Sequence, residues 1–520
     1  MDVSRRKMIQ GSVATLVGSG AGMAIPAPGQ TPKGAGRKSY AEPAKQIPIA
    51  GEYDVVVVGG GSSGIGAAGA AGRNGAKTLI VERSGWLMGY MDILWGQGIT
   101  HAITFQDPRD RVIMKGIPSE MITRLNKMNA AILPCRRNVI KNNWEAQKDN
   151  RYNRWQASID PEMAKYLNFQ MCEEAHVDIL LHTWFADSIV ERNAVKGIVV
   201  ENKAGRQAIL AKRVIDTTGD ADVTARAGGA FRKVPQDQML EVTRALAVAN
   251  VDVAKLRAYL LSHQERFGFM AEPLEVPPDM EKPMFAFFAQ GKDLKFSRNG
   301  LSIAGGPGSH SGMGIGVKKG CGQVAASVDN VDGTDPWSVS RAEVTLRKKM
   351  VASWQKMRKE VPGFENSTLM AGSYDLGVRE TRLLDGEYQI TLAEMLKGTR
   401  HKDAIFQTAM PTDAHLPKEY WGEDMPDDTY DVPYRILVPQ KLDNLLVAGR
   451  CTSMDHPALP ALRKVPLCIA MGEAAGTAAA LSVKLGVTPR KLDVPTLQRQ
   501  LLKQGVLLSD ELTKAVTFKG

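Results

Sequence analysis

Apolar and polar residues alternate along the chain in patterns that predict an α/β fold beginning near residue 51. Tyr53–Val58 is a β-branched apolar run, typical of a strand buried on both faces. A glycine-rich turn at Gly59–Gly64 follows it, and the small-residue segment after the turn predicts a helix. Lys77–Val81 predicts a second buried strand.

The same patterns continue through the rest of the chain. A helical pattern over Asp160–Ala175 precedes a series of predicted strands, with a turn at Asn202–Arg206. The strands are Val177–His182, Phe185–Glu191, Gly197–Glu201 and Gln207–Ile215. Ser340–Glu360 predicts a long amphipathic helix whose apolar stripe we assign to the core. Leu442–Ala448 predicts another buried strand, and Pro466–Leu485 a helix rich in alanine and glycine.

The first turn has the G-x-G-x-x-G spacing of a dinucleotide-binding loop. Gly59 allows a tight turn, Gly61 lets the backbone approach a pyrophosphate, and Gly64 lets the helix pack closely on the strand. Glu82 ends the second strand, where a carboxylate binds ribose hydroxyls. A glycine-rich turn of another α/β protein is the alternative. The ordered strand, loop, helix, strand and acid favour a dinucleotide site.

The N-terminal residues predict an export signal. Ser4–Gln10 contains an Arg-Arg pair followed by apolar residues, and the weakly hydrophobic stretch Gly11–Ala24 is too short for a permanent membrane span. Gly22-Met23-Ala24 is a candidate cleavage site. We therefore expect the twin-arginine export machinery as a partner and a periplasmic or secreted location. A chance arginine pair in a basic N-terminus is the alternative.

Composition excludes several other classes of protein. The 520 residues are 43% hydrophobic with mixed charge, and the net charge of +10 is not concentrated in an arginine-rich helix, so we expect no nucleic-acid partner. The five cysteines form no C-x-x-C and the eight histidines no H-x-x-x-H, so we expect no metal. One disulfide is possible, with its pairing open. The absence of G-x-S-x-G gives a serine hydrolase no support.

A strand that ends in Asp216-Thr217-Thr218-Gly219-Asp220-Ala221-Asp222 predicts a return to the nucleotide-binding sheet. Asp220 and Asp222 resemble an acid/base or metal-binding pair. We expect them instead to cap a helix at Val223–Ala227, one of them near the cofactor.

Several motifs together resemble the FAD-dependent oxidoreductase family, which includes heterodisulfide-reductase-like flavoproteins. They are Thr217–Asp222, Gly377–Arg382 with Gly386 and Tyr388, Asp431–Arg435, Asn444–Cys451 and Gly472–Ala480. The resemblance runs from about residue 53 to 485 around an unmatched substrate region. It implies FAD and a Rossmann-like FAD-binding domain of the glutathione-reductase-like, three-layer ββα type, with an inserted α+β substrate domain. The lack of cysteine clusters departs from relatives with iron–sulfur centres and implies a simple flavoenzyme.

The resulting division of the chain has eight parts. We expect a signal peptide at 1–24, a disordered linker at 25–50, the FAD-binding domain at 51–115, 176–230 and 441–490, a helical insertion at 116–175, the substrate domain at 231–440 and a C-terminal helical tail at 491–520.

The resemblance also implies a set of cofactor-binding residues. Gly449 and the Gly472–Gly476 segment would approach the flavin and ribityl chain, and a helix N-terminus would stabilise the reduced flavin. The full expected set is Gly59, Gly61, Ser63, Gly64, Glu82, Arg83, Thr218, Gly219, Asp220, Gly449, Arg450, Gly472, Ala475 and Gly476.

Catalytic residues are implied by the same resemblance. It places His456 on the substrate face, where a base would take a proton, although a surface histidine is the alternative. Arg463 would anchor an anionic group or polarise a carbonyl, and Arg379 would line the same cleft. His310 is a further candidate for a polar contact, whereas Cys451 is expected to pack rather than react.

These features predict an exported FAD-dependent oxidoreductase that transfers a hydride between an organic small molecule and flavin N5, with an unidentified electron acceptor. The alternative is the flavin subunit of an exported electron-transfer complex without turnover of its own. A nicotinamide-dependent dehydrogenase is disfavoured because no second G-x-G-x-x-G unit is present.

Overall fold

The computed structural model describes residues 40, 42–89, 113–135, 137–142, 156–273, 276, 279–282, 284–288, 312–315, 320–372, 375–409 and 429–517. Residues 47–520 belong to one compact unit, and residues 1–46 to another. The predicted signal segment 1–24 and the candidate His310 lie outside the described residues.

The elements follow the predicted order closely, and their bounds are as follows. The helices are α1 (Ser62–Arg73), α2 (Ile117–Lys127), α3 (Pro161–Glu174), α4 (Asp222–Arg226), α5 (Val253–Ser262), α6 (Pro336–Glu360), α7 (Leu392–Leu396), α8 (Leu459–Leu462), α9 (Val465–Lys484), α10 (Val494–Lys503) and α11 (Asp510–Thr517). The strands are β1 (Ile49–Val58), β2 (Thr78–Val81), β3 (Ala131–Cys135), β4 (Arg137–Asn142), β5 (Gln156–Ile159), β6 (Val177–Leu180), β7 (Trp184–Glu191), β8 (Ala194–Asn202), β9 (Gly205–Asp216), β10 (Phe231–Arg232), β11 (Val242–Ala249), β12 (Phe267–Pro273), β13 (Met284–Phe288), β14 (Gly312–Ile315), β15 (Gly322–Val328), β16 (Thr368–Gly372), β17 (Leu383–Leu384), β18 (Ala404–Thr408), β19 (Tyr430–Pro433) and β20 (Leu445–Val447).

The first sheet carries the dinucleotide loop. Its strand order is β6-β2-β1-β9-β8-β7, and β20 pairs with β9 as well. Strands β6, β2, β1, β9 and β20 are mutually parallel, whereas β7, β8 and β9 form an antiparallel meander. The molecule is therefore a mixed α/β protein built on a parallel sheet, and the carboxyl ends of β1, β2 and β9 meet at one edge.

Alternate residues of β1 face different layers, as the period of a strand requires. Val55 and Val57 belong to a buried cluster formed with the helices. Val56 and Val58 belong to a second cluster, which includes residues of the β8–β9 hairpin. The central strand is thus buried on both faces, which accounts for its uninterrupted valine run.

Helices α1 and α9 pack with their backbones in close approach. A Cβ atom added to Gly66 would lie 2.2 Å from the Ile469 carbonyl oxygen, and one added to Gly472 would lie 2.0 Å from the Ser63 oxygen. A Cβ on Gly476 would lie 2.1 Å from the Ala67 oxygen. Only glycine fits at these positions. Helix α9 is long and apolar enough to span a membrane, but 94% of the apolar window is buried in the fold.

The second sheet is antiparallel and lies within residues 137–372. Its strand order is β16-β11-β15-β14-β13-β12-β4. Helices α5 and α6 contribute to the apolar clusters on this sheet, and Leu346, Met350 and Met357 of α6 are buried. These three residues confirm that the apolar stripe of α6 belongs to the core. Val344, on the same helix, is half exposed.

Three element predictions need correction. Strand β1 begins at Ile49, inside the segment predicted to be a disordered linker. The segment 116–175, predicted to be helical, contains β3, β4 and β5 besides two helices. Strand β4 pairs with β12, more than a hundred residues later, and local periodicity carries no signal for such a distant partner. Strand β20 covers only Leu445–Val447 of the predicted Leu442–Ala448.

The α1–α9 contact predicts opposite effects for two glycine substitutions. Gly472→Ala should destabilise the protein by about 1–3 kcal/mol or more, because the new methyl group collides with backbone atoms that cannot move independently. Gly69→Ala should be neutral or stabilise by up to about 1 kcal/mol, because its Cβ would have nothing closer than 3.8 Å and alanine favours a helix. Chemical denaturation of both variants measures the difference. Equal effects would contradict the proposed close packing.

Candidate functional site

A cavity of about 510 Å³ lies at the carboxyl ends of the parallel strands. Its wall combines the glycine loop and the first turn of α9 with residues of α6 and of the segment that follows β16. We call residues 320–382, which include the last strands of the second sheet, the second sheet region. Of the residues predicted to bind the cofactor, those that line the cavity are Gly59, Gly61, Ser63, Glu82, Arg83, Thr218, Gly219, Asp220 and Arg450. Arg379 and Arg463, two of the three predicted catalytic residues, line the same cavity.

The N-terminus of α1 opens onto this cavity. Its N-cap residue is Gly61, no side chain caps the helix, and no acidic residue lies in the first turn. The first amides and the positive end of the helix dipole are therefore not neutralised by a side chain of the helix. A Cβ on Gly61 would have its nearest described neighbour, the Gly89 Cα atom, at 3.9 Å, so a single methyl group would be accommodated there. This arrangement fits a pyrophosphate.

Glu82 closes the loop from the end of β2. One carboxylate oxygen accepts a hydrogen bond from the Gly60 amide at 2.6 Å, and the other accepts from the amide and hydroxyl of Ser84, each at 2.8 Å. These donors fix the orientation of the carboxylate at the cavity wall. A ribose hydroxyl at this position would meet a preorganised acceptor.

A network of charged groups joins three of the predicted motifs. Asp220 Oδ1 accepts hydrogen bonds from Arg450 Nη2 at 2.7 Å and from the Thr381 hydroxyl at 2.6 Å. Arg382 Nη1 donates to the Asp220 carbonyl oxygen and to Asp222 Oδ1. Burial lowers the pKa of Arg450, but the Asp220 carboxylate more than offsets this, and the pKa of Arg450 ends above its ordinary value. Arg450 is therefore a fixed, paired cation at the cavity wall.

The predicted capping role of Asp220 and Asp222 is wrong. Helix α4 begins at Asp222, and its N-cap is Ala221 in a left-handed conformation without a side-chain hydrogen bond. The Thr218 hydroxyl oxygen accepts from the amides of both aspartates instead. The two carboxylates point to Arg450 and Arg382, because a buried or half-buried arginine demands a charged partner more strongly than a helix end does.

Two arginines meet the cavity from different elements. Arg379 is buried, and its Nη1 atom donates to the Glu241 carbonyl oxygen at 2.5 Å. Its Nε atom has no hydrogen-bond partner among the described residues. Arg463 is half buried and lies between α8 and α9, next to the cavity residues Val465 and Cys468. Arg379 Nη1 also lies 3.8 Å from Glu241 Oε1. Two guanidinium groups on the wall of one cavity suit an anionic or carbonyl group.

His456 pairs with a buried glutamate. Its Nδ1 atom lies 2.7 Å from Glu380 Oε1, and the other Glu380 oxygen accepts from the Leu240 amide at 3.1 Å. His456 is not among the described residues that line the cavity. Glu380 follows Arg379 directly in the chain, so the His456–Glu380 pair lies next to a residue that lines the cavity.

The glycines of α9 also need correction. Gly472 and Gly476 face the backbone of α1, and with Ala475 they are buried in the helix contact rather than being part of the described cavity wall. Glu473 between them turns to α2, where its carboxylate accepts from the Ile117 amide at 2.9 Å. Small residues in a helix allow close approach to either a flavin or another helix, and the sequence pattern does not separate the two. The N-terminal residues Val465 and Cys468 meet the cavity instead.

Gly64 and Gly449 have supporting positions. A Cβ on Gly64 would lie 1.9 Å from the Gly59 oxygen, as expected of a residue that lets α1 pack on β1. Gly449 has a φ of +101°, and a Cβ there would lie 2.6 Å from Ser63 Oγ. Both glycines therefore pack against residues of the glycine loop and the start of α1 and are not among the described residues that line the cavity.

The two cysteines near the site are buried. Cys451 packs with Ala221, Leu384 and Val447, which agrees with its predicted packing role. Burial raises the pKa of the Cys451 thiol well above its ordinary value, and burial raises the pKa of Cys468 to about 12. Both thiols are therefore protonated at neutral pH and poorly nucleophilic.

Several cavity residues were not predicted from the sequence. They include Thr183, Trp184, Phe185 and Ala186 at the start of β7, and Glu343, Asp375, Leu376 and Val378 from the second sheet region. The sequence offered one signal for the first group, the predicted strand that begins at Phe185. That strand, β7, follows β6 in the chain and belongs to the same sheet. The second group reaches the cavity through tertiary packing, for which the sequence has no local signature.

Comparisons with known proteins identify the family. The model of a family described as FAD dependent oxidoreductase matches residues 54–501, well over half of the chain. Among solved structures, the chain is similar to a geranylgeranyl bacteriochlorophyll reductase-like protein from Thermoplasma acidophilum, with 14% identity over 89% of this chain and 90% of that one and a TM-score of 0.41. It is also similar to p-nitrophenol 4-monooxygenase from Pseudomonas putida DLL-E4, with 12% identity, coverages of 91% and 93% and a TM-score of 0.42. A flavin-dependent brominase shares 10% identity over 87% of this chain and 83% of that one, with a TM-score of 0.42.

The glycine loop predicts a separation between folding and cofactor binding. Gly61→Val should change the unfolding free energy of the FAD-free protein less than Gly64→Val does and abolish FAD binding, because its side chain adds bulk at the cavity wall before α1 without a backbone collision at Cβ. Gly64→Val should lower the unfolding free energy and also abolish FAD binding, because its side chain collides with the Gly59 backbone. Denaturation curves and the flavin content of the purified variants measure the two effects. Full retention of FAD by Gly61→Val would contradict this assignment.

Proposed function

We propose that this chain, which belongs to the FAD-dependent oxidoreductase family, transfers a hydride between an organic small molecule and its flavin. FAD is its cofactor, and the protein is an enzyme. The observation that carries the proposed reaction is the single cavity that joins the glycine loop to Arg379 and Arg463. We propose the heterodisulfide-reductase-like branch of the family, on the motifs at Gly377–Arg382 and Asn444–Cys451.

The residues of the cavity fit FAD at both ends. Uncapped amides at the start of α1 would hold the pyrophosphate, and Glu82 would accept from the ribose. The first turn of α9, with Val465 and Cys468 at the wall, would lie at the flavin end, where its helix dipole favours negative charge. When bound there, FAD supplies the hydride-accepting or hydride-donating centre.

Arg379 and Arg463 would orient the substrate. Arg379 and Arg463 line the cavity, and their guanidinium groups would pair with an anionic or carbonyl group of the substrate. His456 would keep Arg379 in place through Glu380. The substrate class that this arrangement supports is an organic acid or a carbonyl compound.

Arg463 provides the test of this role. Anaerobic addition of a panel of organic acids and carbonyl compounds should identify one that bleaches the visible absorbance of the flavin. Arg463→Met should raise the half-saturating concentration of that compound by about 10- to 100-fold, since a hydrogen bond to a charged group is lost, and Arg463→Lys should restore part of the loss. Arg499→Met, in α10 outside the cavity wall, is the matched control.

The outcomes separate the proposal from its alternative. If dithionite bleaches the flavin but no small molecule does, the chain is better described as a flavin subunit that receives electrons from a partner. Bleaching by a compound at the same half-saturating concentration in the wild type and in Arg463→Met would support hydride transfer and contradict the role of Arg463 in binding the substrate.

The proposed place of action is the periplasm or the exterior, after twin-arginine export of the folded protein. The support is the Arg5-Arg6 pair and the weakly hydrophobic stretch Gly11–Ala24. Cell fractionation of a chain with Arg5→Lys and Arg6→Lys should find the protein retained in the cytoplasm. Unchanged export of this variant would reject the signal.

A further inference from the structure

Arg83, Trp184 and Asp375 meet on one flank of the cavity, and all three line its wall. Arg83 Nη2 lies 3.0 Å from Asp375 Oδ1. The Arg83 guanidinium carbon lies 5.3 Å from the centroid of the Trp184 ring, within the range of a cation–π interaction. The guanidinium is thus in contact with an aromatic ring and a carboxylate at the same time.

The backbone fixes this group beside the ribose-binding carboxylate. Arg83 follows Glu82 in the chain, and the Glu82 carbonyl oxygen accepts a hydrogen bond from the Thr183 amide at 3.1 Å. The Glu82 amide donates to the Leu180 oxygen at 2.9 Å. The start of β7, which carries Trp184, is therefore held against the end of β2. This flank is the adenosine end of a dinucleotide site.

Trp184 remains 57% exposed although it lines a cavity. A large indole surface left uncovered beside a ribose site is available for another flat ring, and purines stack on aromatic side chains. The adjacent guanidinium is planar and stacks in the same way. Asp375 follows β16, outside the sheet that carries Arg83 and Trp184, so its ion pair connects the two sheet regions across the cavity wall.

We propose that Arg83 and Trp184 form a stacking surface for the adenine ring of FAD, and that Asp375 holds Arg83 in position as a latch from the second sheet region. Trp184 and Arg83 touch the cofactor, whereas Asp375 is a positioning residue. The Arg83–Asp375 ion pair is partly exposed, so we expect its loss to change the free energy of unfolding little and to be measured in the retention of the cofactor. This role is independent of the substrate and of the direction of the reaction.

The test compares FAD with FMN, which lacks the adenosine. FAD release from the holoprotein after dilution, followed by flavin fluorescence, should accelerate about tenfold or more in Trp184→Ala and about three- to fivefold in Asp375→Asn. Trp184→Phe keeps a flat ring and should stay within about threefold of the wild type. The affinity of the FAD-free variants for FMN should equal that of the wild type.

Two variants outside the cavity wall serve as controls. Trp337→Ala removes a tryptophan that is 74% exposed, and Glu365→Gln breaks an exposed ion pair with Lys255. Neither should change FAD release. Unchanged release from Trp184→Ala would overturn the stacking surface. An equal loss of FAD and FMN binding would also overturn it, because a general distortion of the site does not discriminate between the two flavins.

Discussion

The contact between α1 and α9 is the constraint on which the site depends. Gly66, Gly472 and Gly476 let the two helix backbones approach until no Cβ atom fits between them. The contact fixes α1, whose first turn lines the cavity and is proposed to bind the pyrophosphate, relative to α9, whose first residues line the same cavity. Small residues in two distant segments of the sequence thereby set the distance between the two ends of the cofactor site.

A network of paired charges also connects separate segments of the chain at the site. Asp220, Arg450 and Thr381 come from three separate segments and are joined by hydrogen bonds of 2.7 and 2.6 Å. Each charge of the network has a partner, and the network ties the end of β9 to the residues after β20 and to the segment after β16. Arg379 also lines the cavity, and its Nε atom is buried without a hydrogen-bond partner in the described part of the chain.

The sequence was sufficient for the elements with strong local signals. The valine run at Val55–Val58, the loop at Gly59–Gly64 and the strands from β6 to β9 lie where their patterns predict. Features that depend on tertiary packing could not be predicted from the sequence. They are the pairing of β4 with β12, the position of Asp375 at the cavity and the packing of Gly472 against α1. An Ala/Gly-rich helix predicts close approach to something, but the partner is set by the rest of the fold. For the same reason, His456 was placed at the substrate face by resemblance, whereas its contact is Glu380.

The most direct test of the account is the absorption spectrum of residues 25–520 purified without added cofactor. The account predicts visible flavin bands that bleach with dithionite in the absence of oxygen, and one FAD released per chain on denaturation. A colourless protein that also fails to take up added FAD would contradict it, and the loop at Gly59–Gly64 would then belong to a site for another nucleotide.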